Sequence, residues 1–187
     1  MPATLDPPDP GALKAAYLES MRRLPTGLVL VISKVGGRPW GLTVSACCSA
    51  SVEPPLLVVS VGSATVTGES IRREGRFGVA ILDHENLRLA EFGAARGVAK
   101  FIDELCEDAE MPFPRLRGCT AQLQCQVASS HIVADHTIFV GRVIDGLVSQ
   151  AVPDRALVYY DRAYRDLAGA APPVPGPPEE GRHVNGA

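Results

Sequence analysis

Hydrophobic positions change period repeatedly along this chain, and each change predicts a different element. Leu13, Tyr17, Met21 and Leu24 recur at helical spacing. Asp9 suits the cap of that helix, Pro10 its first turn, and Pro25 stops it. From Gly27 the pattern becomes strand-like. GLVLVIS (27–33) and PLLVVSVG (55–62) are continuous β-rich runs, as expected of strands covered on both faces. Gly36-Gly37 before Arg38-Pro39 marks a turn, WGLTVSA (40–46) a return strand, and FGVAIL (77–82) another strand. In TAQLQCQVAS (120–129), Ala121, Leu123, Cys125 and Val127 alternate with Gln122, Gln124 and Gln126, which predicts a half-exposed antiparallel strand. HTIFVGRVIDGLVS (136–149) and ALVYYDRAY (156–164) bring the total to six or seven strands. Helical patterns interrupt them only at 65–74 and 83–96, with a turn or two in 101–107. Strands mostly adjacent in sequence predict a mainly β fold, a closed antiparallel barrel with helices outside it, rather than a doubly wound sheet.

Composition narrows the classes. At 187 residues the chain suits one domain. The proline-rich start (1–10) and the Ala-, Gly- and Pro-rich end (168–187) lack the apolar content to offset ordering entropy, so the folded domain is expected over 11–167 and the ends as disordered tails. A net charge of −3 and 5% aromatics argue against a nucleic-acid binder. No apolar run approaches the ~20 residues of a membrane span, and the N-terminus lacks the basic and apolar regions of a signal peptide. Five cysteines without a C-x-x-C pair read as reduced thiols of a cytoplasmic protein.

Chemistry is carried by few segments. There is no G-x-G-x-x-G fingerprint, P-loop or G-x-S-x-G elbow, and the four histidines lack metal-ligand spacing. In residues 41–61, Thr43, Ser45, Ser49 and Ser51 read as hydroxyls alternating on one face of a strand that ends at Glu53-Pro54-Pro55. Such a face can receive a phosphate or a polar heteroaromatic edge; the same pattern also suits an edge strand facing water. Asp135-His136 opens a strand, where the imidazole is either solvated or offered to a ligand. Lys100-Phe101 sets a cation beside an aromatic ring, and one of Tyr159, Tyr160 and Tyr164 can stack on a ring system while the others serve the core.

Six segments in order resemble the short-chain flavin reductase family, whose fold is the FMN-binding split barrel. They are RRLPTGLVLVIS, GRPWGLTVSACCSASVEPPLLVVSVG, SATVTGESIRREGRFGVAIL, Lys100-Phe101, ADHTIFVGRV and LVYYDRAYRDL, together spanning most of residues 20–167. The resemblance implies a homodimer that transfers hydride from NADH, with NADPH possible, to FAD or FMN. Reduced flavin then passes to a separate flavin-dependent monooxygenase or halogenase. Position by position, it implies that Thr43, Val44, Ser45 and Ala46 line the flavin ring, and that Ser49, Ser63 and Thr65 lie near the ribityl–phosphate part. Lys100 and Phe101 fall near the phosphate or adenine side, and His136 and Tyr164 at the catalytic, nicotinamide-facing side. Three departures stand out: Cys47 where the family usually has Phe, Glu91-Phe92-Gly93 for Arg-Phe-Ala, and Ala134 for the Gly before Asp-His. A protein that binds flavin permanently, as a carrier or an enzyme acting on an organic substrate, is the alternative reading.

Overall fold

The computed structural model describes residues 9–107, 114–150 and 155–168. In chain order the strands are β1 (Thr26–Gly27), β2 (Val29–Val35), β3 (Arg38–Val44), β4 (Cys47–Ser51), β5 (Leu56–Gly62), β6 (Arg76–Ile81), β7 (Cys106–Glu107), β8 (Arg115–Leu116), β9 (Ala121–Val133), β10 (His136–Val148), β11 (Arg155–Tyr160) and β12 (Ala163–Ala168). The helices are α1 (Pro10–Arg22), α2 (Val66–Glu74) and α3 (Leu87–Ala94). Seven strands form one antiparallel sheet in the order β3-β2-β6-β9-β10-β5-β4; β1, β11 and β12 form a second sheet, and β7 and β8 a third. No helix among the described residues is long and apolar enough to cross a membrane.

The order of the large sheet dictates its shape. Its two edge strands, β3 and β4, are consecutive in the chain and joined only by Ser45 and Ala46. Laid flat, seven strands at ~4.8 Å spacing would hold the edges about 29 Å apart. Three residue steps span at most about 11 Å. The sheet must therefore curl until its edges meet at that corner, although β3 and β4 do not pair. This is the split barrel that the family resemblance implies; the strand pattern alone predicts a closed barrel, and closure fails because β3 and β4 do not pair.

Two apolar clusters flank the curled sheet, and β2 serves both. Val29 and Val31 join Leu57, Val59, Val61, Ile71, Phe77 and Phe139, while Leu28, Leu30 and Ile32 face Ala80, Leu82, Ala90 and Leu157. Five consecutive buried residues (29–33) follow, as the continuous run predicts. β5 differs from that expectation. It buries Leu57, Val59 and Val61 but leaves Leu56, Val58 and Ser60 part-covered; Val58 and Ser60 line one cavity and Leu56 another groove.

Other expectations shift for physical reasons. Gln122 and Gln124 are buried rather than solvent-facing. Gln122 is satisfied internally, accepting from Leu116 N at 2.7 Å and donating to the Pro114 carbonyl at 2.9 Å. Gln124 lies opposite Gly78, whose missing side chain leaves it room. The single strand expected over 156–164 is a hairpin, β11–β12, turning at Asp161 and Arg162 with φ of +50° and +59°. The Thr43–Ser51 hydroxyls do not share one strand, since the chain crosses the split between Val44 and Cys47. Asp9 caps α1 through Ala12 N at 2.9 Å, and Pro10 belongs to the helix rather than to the tail; most of the expected tails lies outside the described residues. The apolar stripe of α1 exists, but Leu13, Tyr17 and Met21 remain exposed.

Gly141 marks a close approach inside the barrel. A Cβ there would sit 2.6 Å from Phe77 Cζ and 2.9 Å from Cys125 Cβ. Gly141→Ala should lower stability by about 1–3 kcal/mol through overpacking. Phe77→Leu introduced with it should recover part of that loss, and urea unfolding midpoints of the single and double variants measure both effects.

Candidate functional site

The corner that forces the sheet to curl also leaves polar groups without partners. Ser60 N donates to the Ala46 carbonyl at 2.9 Å, fixing the crossing to β5. Among the described residues, the N–H groups of Ser45 and Ala46 and the hydroxyls of Ser45 and Ser60 make no hydrogen bond. They stand beside a cavity of about 650 Å³, within the range of small-molecule sites. Its apolar wall comes from Tyr17 and Met21 of α1, Val58 of β5, Ile138 of β10 and Tyr159 of β11. The exposed stripe of α1 is thus one wall of this cavity. Arg22, Asp161 and Arg162 complete its rim, with Arg22 donating to Asp161 through Nε at 3.0 Å and also through Nη2.

His136 opens β10 two residues before Ile138, so the two side chains project from the same face of the strand. The imidazole Nδ1 lies 2.8 Å from Asp135 Oδ1, and that bond holds the Asp135 carboxyl below its usual range. An ionised carboxylate only accepts, so Nδ1 carries the proton and Nε2 is left open to solvent or ligand. The turn is anchored by Ser63 N, which donates to the Asp135 carbonyl at 2.8 Å.

The expected site residues fall into three groups. Ser45 and Ala46 line the cavity, and His136 shares the face of its wall. Val44 ends β3 one residue before them and packs against the barrel interior. Ser63 and Thr65 lie beyond the same end of β5 but are occupied: the Ser63 and Thr137 hydroxyls are 2.8 Å apart, and Arg72 donates to Thr137 Oγ1 at 3.1 Å. Thr65 caps α2, accepting from Gly68 N at 3.0 Å and donating to the Gly62 carbonyl at 2.7 Å.

The third group sits on the outer side of β3. Residues 100–102 run along that edge, with Gly41 N donating to the Lys100 carbonyl at 3.0 Å and Ile102 N to the Pro39 carbonyl at 3.1 Å. Lys100 Nζ turns inward and donates to the Gly93 carbonyl at 2.6 Å, where burial pushes its pKa down. Phe101 packs edge-on against Trp40 at 5.1 Å, with the Arg38 guanidinium 4.0 Å from its ring centre. Thr43 Oγ1 is buried beside Gly93 and has no partner. Ser49 and Tyr164 stand apart from the cavity. Ser49 lines a second, more apolar groove of about 750 Å³, and Tyr164 packs behind Tyr159 at 5.5 Å with its hydroxyl donating to the Ala90 carbonyl at 3.5 Å. The ring that faces the cavity is Tyr159, and Ser60, Ile138 and Arg162 are lining residues that pattern reading passed over. The half-open face of β5 is the signal that could have found Ser60.

All five cysteines are free thiols. Cys47 and Cys48 both border the cavity, and burial raises the Cys47 pKa to about 11, so it is a packing group rather than a nucleophile.

An apolar wall facing unpaired N–H and O–H groups suits a ligand that is flat and apolar on one side and rich in acceptors along another edge. A flavin has that chemistry, so the residues present fit one.

Comparison with known proteins gives the same class. Residues 21–168 match the family model of the flavin reductase-like domain. The chain is 33% identical to the flavin reductase (NADH) of Kitasatospora aureofaciens, over 79% of this chain and 78% of that protein. It is 28% identical to the reductase component of 4-hydroxyphenylacetate 3-monooxygenase from Thermus thermophilus, covering 83% and 97%. Among solved structures, the NADH:FAD oxidoreductase of Streptomyces globisporus, in complex with NAD and FAD fragments, superposes with a TM-score of 0.75 at 25% identity, covering 89% and 99%.

Proposed function

The chain belongs to the flavin reductase-like family, and from that membership and the geometry of the split we propose how it works as an NADH-dependent flavin reductase. It transfers hydride from reduced nicotinamide to FAD or FMN and releases reduced flavin for a partner flavin-dependent monooxygenase in the cytoplasm. The observation that carries the site is the cavity at the β3–β4 crossing, where unpaired donors face an apolar wall.

When bound, the flavin supplies the redox chemistry, accepting the hydride; the protein supplies position and electrostatics. The Ser45 and Ala46 N–H groups and the Ser60 hydroxyl hold its acceptor-rich edge, and donors fixed there also favour the negative charge that reduction adds. Tyr17, Val58, Ile138 and Tyr159 exclude water from the other edge. His136 orients the nicotinamide through Nε2, with Asp135 fixing the ring. Most of the cavity's lining is uncharged, and its mouth is open. This suits a flavin that must leave, with affinity on the order of micromolar, about −8 kcal/mol.

Purified protein should oxidise NADH only when FMN or FAD is added, with rate saturating in flavin, followed by loss of nicotinamide absorbance. Absence of turnover, with flavin retained through dialysis, would instead favour permanently bound flavin. His136→Ala should lower kcat by roughly tenfold, the worth of one hydrogen bond of about 1.4 kcal/mol, while flavin affinity changes less than twofold. Equal loss of both would remove His136 from the nicotinamide side.

We also infer a homodimer. α1 buries none of its residues, and Val52, 87% exposed, borders the second apolar groove. Light scattering should give twice the 19.8 kDa of one chain; a mass of one chain at micromolar concentration would overturn it.

A further inference from the structure

The tip of the β11–β12 hairpin carries an unexplained cation. Tyr160 pairs with Ala163, leaving Asp161 and Arg162 as a two-residue loop, and both have positive φ, +50° and +59°. That geometry is a type I′ turn, for which Gly, Asn and Asp are the favoured residues. Asp161 is within that set. Arg162 is not, and a non-glycine residue in this conformation costs about 1–2 kcal/mol. Nothing among the described residues offsets the cost. Arg162 makes no ion pair or hydrogen bond among the described residues, and the neighbouring acid, Asp161, is engaged by Arg22.

The position of the tip is nonetheless fixed. Asp161 N donates to the Arg22 carbonyl at 2.9 Å, and the Arg22–Asp161 ion pair ties the hairpin to the end of α1. Arg162 is thereby held at the 650 Å³ cavity that Ser45 and Ser60 also line. Among the described residues the charged groups lining that cavity are Arg22, Asp161 and Arg162; Arg22 pairs with Asp161 and with Glu19 of α1, and Arg162 pairs with neither acid.

We propose that Arg162 is the anion-recognising residue of this site and takes a phosphate group of a bound ligand. Its planar fork matches two phosphate oxygens, which a point charge would not do as specifically. The backbone strain at the tip is then retained for ligand binding rather than for the fold. This assignment rests on the flavin reductase reading, under which two phosphate-bearing ligands enter the cavity: the flavin nucleotide and the nicotinamide dinucleotide.

The test compares the wild-type chain with Arg162→Gly and Arg162→Lys, using NADH with FMN or with riboflavin, a flavin without phosphate. Arg162→Gly removes the cation and relieves the backbone, so it should fold with an undiminished melting temperature. If Arg162 holds the flavin phosphate, its KM for FMN should rise roughly tenfold or more, the worth of a charge-assisted hydrogen bond, while its KM for riboflavin does not. If it holds the dinucleotide phosphates, the KM for NADH should rise similarly with either flavin. Arg162→Lys should lie between wild type and Arg162→Gly. No KM change beyond twofold, or an equal rise for FMN and riboflavin without one for NADH, overturns the proposal. Wild-type turnover with riboflavin checks the reductase reading separately. Should that turnover be absent, binding of FMN, riboflavin and NADH to wild type and Arg162→Gly, read by fluorescence, decides on Arg162 by the same criteria.

Discussion

A two-residue link between the opposite edges of a seven-stranded sheet is the constraint on which the rest of this molecule depends. Ser45 and Ala46 are too short a bridge for anything but a curled sheet, yet the edges they join do not hydrogen-bond to each other. A fully closed barrel would leave no unpaired edge at all. The split therefore leaves free backbone donors at this corner. That corner lies against Ser60 and the half-open face of β5, so the geometry that shapes the barrel also prepares a polar ligand edge.

The same constraint explains how apolar surface is distributed. Curling puts Val59, Val61, Phe77 and Phe139 inside and leaves the other side of β2 and β6 for α3 and β11 to cover. Coverage stops short at β5, where Val58 and Ser60 look into the cavity instead of a core. α1 reaches over this gap without burying any of its own residues. Its end is nonetheless tied to the β11–β12 hairpin through Arg22 and Asp161, so the wall it forms is held in place at that point.

Much of this architecture was legible from pattern alone. The runs at 27–33 and 55–62, the cap at Asp9 and the helix at 65–74 all became the expected elements, because each rests on local periodicity or capping chemistry. What local pattern could not carry is what depends on distant partners. Gln122 is polar and buried because Leu116 N and the Pro114 carbonyl happen to meet it. The hydroxyls from Thr43 to Ser51 look continuous in sequence, but the sheet order splits them between opposite edges. The turn at Asp161-Arg162 escaped notice because its second residue is not one that such turns favour. At the site, the resemblance implied Thr43, Val44, Ser45 and Ala46 along the flavin ring and His136 with Tyr164 on the nicotinamide side; of these Ser45 and Ala46 line the cavity, and the β11–β12 tyrosine that lines it is Tyr159.

The cations show how this chain has redistributed charge around a common frame. A Cβ at Gly93 would lie 2.3 Å from Thr43 Oγ1 and 2.9 Å from Thr43 N, so glycine there lets α3 settle directly onto β3. With α3 this close, Lys100 finds the Gly93 carbonyl within 2.6 Å, and its ammonium adds a favourable charge at the helix C-terminus. An ammonium committed there is available to an anion only if it gives up that bond and its burial. Glu91, on the same helix, is acidic where the resemblance implies a cation. Gly93 thus lets the α3 terminus engage Lys100, while Glu91 adds an acid to the same helix. At the hairpin tip, Arg162 has no acid partner among the described residues, and its positive φ marks a position that backbone energetics alone would have given to glycine.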